Sequence, residues 1–264
     1  MNTNMMAYME TGKGYPVLLG HSYLFDKNMW APQTEFLSAR YRIIVPDLWG
    51  HGESPALPAN VHNLTDMARD HLRLMDHLGI EEFAVVGLSV GGMWGAELAA
   101  LAPERVRALI LMDSYMGSET PEEQQKYMGM LDAVEIAGAI TSPLLEYIVS
   151  QFYSAYASVE DKEALARYLS GLPASVLRES IVPTGRMIFG RPDRMDVLDR
   201  ICCPVLVAHG AFDQPRPPEE GLKMAERLGC DFSLIPDSGH ISNRENPSFV
   251  TALMEDFLDC HFAN

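Results

Sequence analysis

Three residues have the types to do chemistry together: Ser89, Asp213 and His240. Ser89 stands in Gly87-Leu88-Ser89-Val90-Gly91, Asp213 closes His209-Gly210-Ala211-Phe212-Asp213, and His240 closes Ser238-Gly239-His240. A serine hydroxyl is a weak nucleophile at neutral pH. It needs a general base within hydrogen-bond reach, and that base needs a carboxylate to fix its tautomer. The chemistry would be acyl transfer: hydroxyl attack on a carbonyl, with a proton carried by the imidazole.

The elements that must position them are legible. Phe83 to Val86 is a continuous apolar run, the pattern of a strand buried on both faces, stopped by Gly87. A helical pattern runs from Met93 to Leu101. A sharp strand-to-helix turn would hold Ser89 in a strained backbone with its hydroxyl outward. Neighbouring elements would crowd the positions two before and two after it, hence Gly87 and Gly91. The helix N-terminus beside Ser89 would offer N–H groups to an oxyanion, Val90 among them. A glycine-rich turn that binds phosphate, or merely turns, is the plainer alternative; flanking strand and helix argue against it.

Asp213 and His240 are expected just beyond strands at Pro204–Ala208 and Phe232–Ile235. Asp113, after an apolar run at Val106–Met112, is a rival acid. Asp213 is preferred because Gly210 and Pro215 shape a loop around it, one strand before the histidine. Asp237 is read as shaping a turn, His209 as structural, and His21 and His51 as holding loops. His62, His71 and His77 lie around a helix from Leu64 to Leu78, as surface or packing residues, with no ligand partners at metal spacing.

Further strands are expected at Met5–Glu10 (an edge), Tyr15–Gly20 and Arg42–Val45, and helices at Trp30–Ala39, Pro217–Leu228 and Asn246–Phe262. Strands alternating with helices imply a mostly parallel sheet flanked by helices. From 116 to 195 the alternation breaks. Helices are expected at Pro121–Ala137, Pro143–Ala157 and Val159–Leu169, with a weaker pattern at Val176–Met187. The chain thus divides into core (1–115), helical cap (116–195) and core again (196–264). The insertion carries Met116, Met128, Met130, Met187, Met195, Tyr127, Tyr147, Phe152, Tyr153 and Tyr156. These could line an adaptable apolar pocket or simply hold the insertion down. Arg167, Arg178, Arg186 and Arg191 could select a substrate carboxylate, or pair with the abundant acids.

The 264 residues carry a formal charge of −16 and no local basic patch, which argues against nucleic acid or anionic membrane as a partner. Four scattered cysteines, Cys202, Cys203, Cys230 and Cys260, suit reduced thiols in a cytoplasmic protein. The stretch Met1–Tyr8 has no basic start or long apolar run, so no signal peptide is expected, and no stretch nears the roughly 18 apolar residues of a membrane span.

Four features together resemble the α/β-hydrolase superfamily over nearly the whole length: Gly20-His21-Ser22-Tyr23, Asp47-Leu48-Trp49-Gly50-His51-Gly52-Glu53-Ser54, the Gly87–Gly91 elbow and Ser238-Gly239-His240. Ser–Asp–His is the chain order of that fold. The elbow is similar to those of 3-oxoadipate enol-lactonases, arylesterases and cofactor-free haloperoxidases. The resemblance implies a nucleophilic Ser89, His240 as base, Asp213 as its partner, and an oxyanion hole from the backbone N–H groups of Val90 and Tyr23. Tyr23 rests on the resemblance alone, and Ser22 stands where many members have glycine.

The expected function is a serine hydrolase cleaving a small carboxylic ester or lactone, without cofactor or metal. Dehalogenases and epoxide hydrolases of this superfamily carry aspartate at the elbow, which Ser89 disfavours. Carbon–carbon hydrolases often have tryptophan directly after the histidine, where this chain has Ile241. Enol-lactonase and carbon–carbon hydrolase chemistry on the same residues, and a non-catalytic ligand receptor, remain the alternatives.

Overall fold

The computed structural model describes residues 5–262. Met1–Asn4, part of the stretch read above for a leader, and the last two residues lie outside them. Seven strands form one sheet: β1 (Tyr8–Thr11), β2 (Tyr15–Gly20), β3 (Tyr41–Pro46), β4 (Phe83–Leu88), β5 (Val106–Met112), β6 (Val205–Gly210) and β7 (Asp231–Ile235). Their spatial order is β1-β3-β2-β4-β5-β6-β7. β1 is the antiparallel edge, and every other neighbouring pair runs parallel. The central strand β4 is buried along its whole length, which is why it reads as unbroken apolar sequence.

Helices α1 (Ala31–Leu37), α2 (Leu64–His77) and α3 (Val90–Leu101) link the first strands. Five α-helices lie between β5 and β6, followed by a 3-10 turn at Met195–Arg200: α4 (Pro121–Ala137), α5 (Leu144–Phe152), α6 (Val159–Ser170), α7 (Ala174–Val176) and α8 (Val182–Phe189). A π turn at Leu177–Ile181 joins α7 to α8. The α4 start is marked by a capping box of Thr120 and Glu123, with Pro121 in its first turn. Helices α9 (Pro218–Leu228), α10 (Ser242–Glu245) and α11 (Pro247–Phe262) complete the chain.

The boundaries shift for local reasons. β4 continues through Gly87, because Gly87 and Leu88 still pair with Leu111 and Met112 of β5. α3 begins at Val90, three residues before the helical pattern declares itself, since Gly91 and Gly92 are poor helix formers. α5 stops at Phe152 rather than Ala157. The closing helix starts at Pro247 rather than Asn246, and α10 is a separate turn ahead of it that the sequence pattern did not include.

Parallel pairing puts the C-terminal ends of β2, β4, β5, β6 and β7 on one edge of the sheet. Tyr23, Ser89, Asp113, Asp213 and His240 follow those five strands respectively. β3 lies on one side of β2 and β4 on the other, so the chain direction across the sheet reverses there. Loops diverge at such a point and leave a crevice. Among the described residues no helix is long and apolar enough to cross a membrane.

Candidate active site

Ser89 sits between β4 and α3 with φ 58° and ψ −121°. This left-handed backbone is held from both sides. The Ser89 amide donates to the Met112 carbonyl at 2.8 Å. Its carbonyl accepts from the Ser114 hydroxyl at 2.8 Å and from the Gly92 amide at 2.9 Å. The flanking glycines are steric requirements. A Cβ on Gly87 would lie 2.1 Å from the Gly91 carbonyl oxygen, and one on Gly91 would lie 2.2 Å from the Gly20 carbonyl oxygen of β2. The elbow is therefore wedged against the neighbouring strand as well as its own helix.

His240 and Asp213 meet. His240 Nδ1 lies 2.9 Å from Asp213 Oδ2 and 3.1 Å from Oδ1, and both residues are buried. A carboxylate at Nδ1 assigns the proton there and leaves Nε2 as the acceptor. Burial lowers the His240 pKa to about 4, so the ring is neutral at neutral pH. Burial pushes the Asp213 carboxyl up, against the pull of the Arg216 amide and guanidinium. That amide donates to Asp213 Oδ1 at 2.9 Å.

The rival acid has different partners. Asp113 Oδ1 accepts from the Gly210 amide at 2.7 Å, and Oδ2 accepts from the Ser242 hydroxyl. It ties the loop leading to Asp213 to the loop that follows His240. Asp237 takes a positive φ in its turn. His209 is buried against Gly221, whose Cβ would fall 2.2 Å from the ring. His21 accepts the Leu48 amide on Nε2 at 2.9 Å and donates through Nδ1 to the Ser22 carbonyl at 2.7 Å. His51 Nδ1 pairs with the Trp49 carbonyl at 2.9 Å. His71 stacks on Trp94 with ring centroids 3.6 Å apart, while His62 and His77 are exposed.

Tyr23 and Ser89 line one cavity, and Val90 opens the helix beside it. The Tyr23 hydroxyl donates 2.7 Å to the Ile181 carbonyl in the π turn. Ser22 is buried, and its carbonyl receives both the His21 ring and the Phe25 amide, at 2.7 and 3.2 Å. Its side chain is accommodated in a loop fixed from two directions. The Asp47–Ser54 loop closes on itself: the Ser54 hydroxyl donates to the Asp47 carbonyl at 2.7 Å, and the Glu53 amide to Asp47 Oδ2 at 2.9 Å.

The cavity lies between the sheet edge and the inserted helices, with about 930 Å³ of empty space including its open mouth. Ser89 and His240 both open onto it. Of the ten insertion residues singled out from sequence, Tyr127, Met130, Tyr147 and Phe152 line it, and the rest do not. Phe152 stacks on the His240 ring, centroids 5.5 Å apart. None of the four insertion arginines lines it. Arg167 pairs with Glu163, Arg186 with Asp132 and Glu135, and Arg178 with the backbone carbonyls of Glu135 and Ile136. Arg191 is buried on Glu119 at 2.7 Å. The charged residues on the cavity wall are Glu119 and Arg216, paired with each other. Sequence reading missed both. Glu119 looks like the polar lead into a helix, and Arg216 like a surface residue between two prolines. Glu245 was missed too: it accepts from the Gly239 amide at 2.9 Å and from the Ser154 amide at 3.1 Å.

Comparison with known proteins gives the family. The sequence matches the α/β-hydrolase fold family over residues 15–247. The chain belongs to the α/β-hydrolase family. Among its relatives is a putative carbamate hydrolase RutD of Caulobacter sp. (strain K31), 29% identical over 87% of this chain and 85% of that protein. The 3-oxoadipate enol-lactonase 2 of Acinetobacter baylyi is 26% identical over 91% of this chain and 89% of its own. Among solved structures, a thermophilic esterase from Thermogutta terrifontis superposes with a TM-score of 0.87 at 31% identity, covering 98% of this chain and 94% of the other. The chain is thus a hydrolase of the α/β family, in the company of ester- and lactone-cleaving proteins.

Proposed function

We propose that this α/β-hydrolase is a serine esterase acting on a neutral, medium-sized apolar carboxylic ester or lactone. One observation carries it: a buried His240 oriented by Asp213 opens onto the cavity that Ser89 lines. His240 Nε2 takes the Ser89 hydroxyl proton as Oγ attacks the ester carbonyl. The Val90 and Tyr23 amides hold the oxyanion. Collapse releases the alcohol, protonated by His240, and leaves an acyl-Ser89. His240 then deprotonates water as it attacks the acyl carbon, and returns that proton to Ser89 Oγ as the acyl–oxygen bond breaks and the acid leaves. Asp213 keeps the imidazole in the right tautomer throughout.

The helices of residues 116–195 act as a cap that walls the acyl pocket. Its lining of Met130, Leu131, Val134, Leu144, Ile148 and Phe152 suits an apolar chain or ring. The insertion arginines are engaged outside the cavity, which favours a neutral ester over the carboxylated substrate of an enol-lactonase. Ile241 after the histidine disfavours carbon–carbon hydrolysis. All four cysteines are free, which fits a reducing, cytoplasmic setting.

The test is hydrolysis of p-nitrophenyl esters from acetate to dodecanoate, with wild type beside Ser89→Ala. Ester cleavage that disappears with Ser89 and peaks at intermediate chain length is expected. Turnover that survives Ser89→Ala sinks the reading.

A further inference from the structure

Arg216 is a cation fixed on the wall of the cavity that holds Ser89. Its backbone is bound to Asp213 Oδ1, so the residue cannot leave without disturbing the proposed acid. Its side chain is only 5% exposed, and that of its partner Glu119 only 1%. Nη2 pairs with Glu119 Oε2, Nε donates to the Pro215 carbonyl at 2.5 Å, and Nη1 faces Glu220 at 3.4 Å. Glu119 is pinned from its other side. Its Oε1 takes Arg191 Nη1 at 2.7 Å, and Arg191 is itself held by the Ile188 and Tyr115 carbonyls at 2.9 and 3.2 Å.

A desolvated guanidinium beside an ester-binding cavity is a carboxylate receptor unless its fork is already filled. Here Glu119, drawn from the lead into α4, fills it. We propose that Glu119 is a specificity-determining residue: its carboxylate stands in for a substrate carboxylate on Arg216, and so restricts the cavity to neutral acyl chains. This rests on the serine-esterase reading above. A simple strut would not need these charges, because an apolar cluster of similar volume holds buried elements together at least as well. The ion pair instead leaves a cation in place and closes it to substrate.

The proposal fixes what happens when the mask is removed. Glu119→Gln keeps the size and one acceptor oxygen but removes the negative charge facing Arg216 Nη2, the arm not engaged by Pro215 or Glu220. The probes are p-nitrophenyl hexanoate and mono-p-nitrophenyl adipate, matched in chain length and differing by a terminal carboxylate. The reading is the ratio of their kcat/KM values, whatever the absolute rates. Wild type favours the hexanoate. In Glu119→Gln the ratio shifts toward the adipate ester by about 10- to 100-fold, as a new charge-assisted contact would give, mainly through KM. The double variant Glu119→Gln/Arg216→Gln returns the ratio to the wild-type side. Where Glu119→Gln does not fold, Glu119→Asp retracts the carboxylate by one methylene and shifts the ratio in the same direction. Free adipate, but not uncharged hexanamide, raises the melting temperature of the unmasked variant, a readout independent of turnover.

An unchanged ratio and no adipate stabilisation overturn the proposal, as does a shift that persists in the double variant. Ser89→Ala assayed alongside separates the two failures. Hexanoate cleavage that survives it removes the serine reading, whereas a flat ratio on Ser89-dependent cleavage removes only the role of Glu119.

Discussion

The Ile241 amide donates to the Phe152 carbonyl at 3.2 Å, joining the residue after His240 to the C-terminal end of α5. This is one of several ties between the insertion and the histidine loop. Glu245 bridges Gly239 and Ser154 with its two oxygens, and Arg244 pairs with Asp161 of α6 at 2.6 Å. The inserted helices therefore also hold the loop that carries His240. Glu245→Ala leaves two buried amides unmet, at a cost of about 1–3 kcal/mol. It should lower the melting temperature and reduce kcat on a neutral ester more than it raises KM, because His240 loses its brace. Glu245→Gln, which keeps one acceptor, should restore part of both. A Glu245→Ala enzyme with wild-type kcat would show that His240 is held well enough without it.

The elbow stores strain that its serine does not relieve. A non-glycine residue at φ 58° and ψ −121° costs of order 1–3 kcal/mol. Ser89→Gly should therefore be more stable than wild type by about 1 kcal/mol, as glycine reaches this backbone freely. Ser89→Ala keeps the strain and should gain nothing. Both should lose ester turnover by about 10⁴-fold or more. Thermal melts of the three proteins measure the difference directly, and equal melting temperatures would mean that the turn is not strained.

The glycines of the elbow differ in how replaceable they are. A Cβ on Gly91 would strike the Gly20 backbone at 2.2 Å, and neither strand nor helix can retreat. A Cβ on Gly95, one turn along α3, meets only side chains, Val85 at 3.1 Å and Leu109 at 3.6 Å. Gly91→Ala should abolish soluble expression, while Gly95→Ala should fold and approach wild-type stability, since alanine gains about 1 kcal/mol of helix propensity. Parallel expression of the two variants is the check. A soluble, active Gly91→Ala protein would contradict the close packing of β2 on α3.

How far the sequence revealed this arrangement depends on the range of the signal. Ser89, Asp213 and His240 were legible because each follows an apolar strand and sits among glycines, and parallel pairing collects strand ends. The helix from Pro121 to Ala137 was legible to the residue, since Thr120, Pro121, Glu123 and Gly138 mark its ends. Arg216 and Glu119 were not legible. Their significance lies in a contact 97 residues apart, and a charged residue in a loop reads as solvated unless its partner is known. Glu245 was hidden for the same reason. The short α10 turn was not legible either, because its four residues show no apolar period of their own.

Acid should unfold this protein through its histidines. His21, His51, His71, His209 and His240 are all buried. Burial lowers His21 and His240 to about 4, and His51, His71 and His209 to about 3. In the unfolded chain each titrates near 6.5, so below that pH the unfolded state takes up protons that the folded state refuses. Their contribution is intact above pH 6.5 and is lost as the pH falls toward 4. Each contributes a slope of up to about 1.4 kcal/mol per pH unit. The raised carboxyls of Asp113 and Asp213 act oppositely, binding protons in the folded state, and offset part of the loss. The melting temperature should be level from about pH 8 to pH 7 and fall steeply below about pH 6. His71→Phe, which keeps a ring against Trp94, should make the decline shallower by about one proton. Ester turnover should follow stability rather than a separate limb near neutrality, because His240 is already neutral there. A melting temperature unchanged down to about pH 4.5 would mean that these rings are protonated inside the fold, and His240 with them.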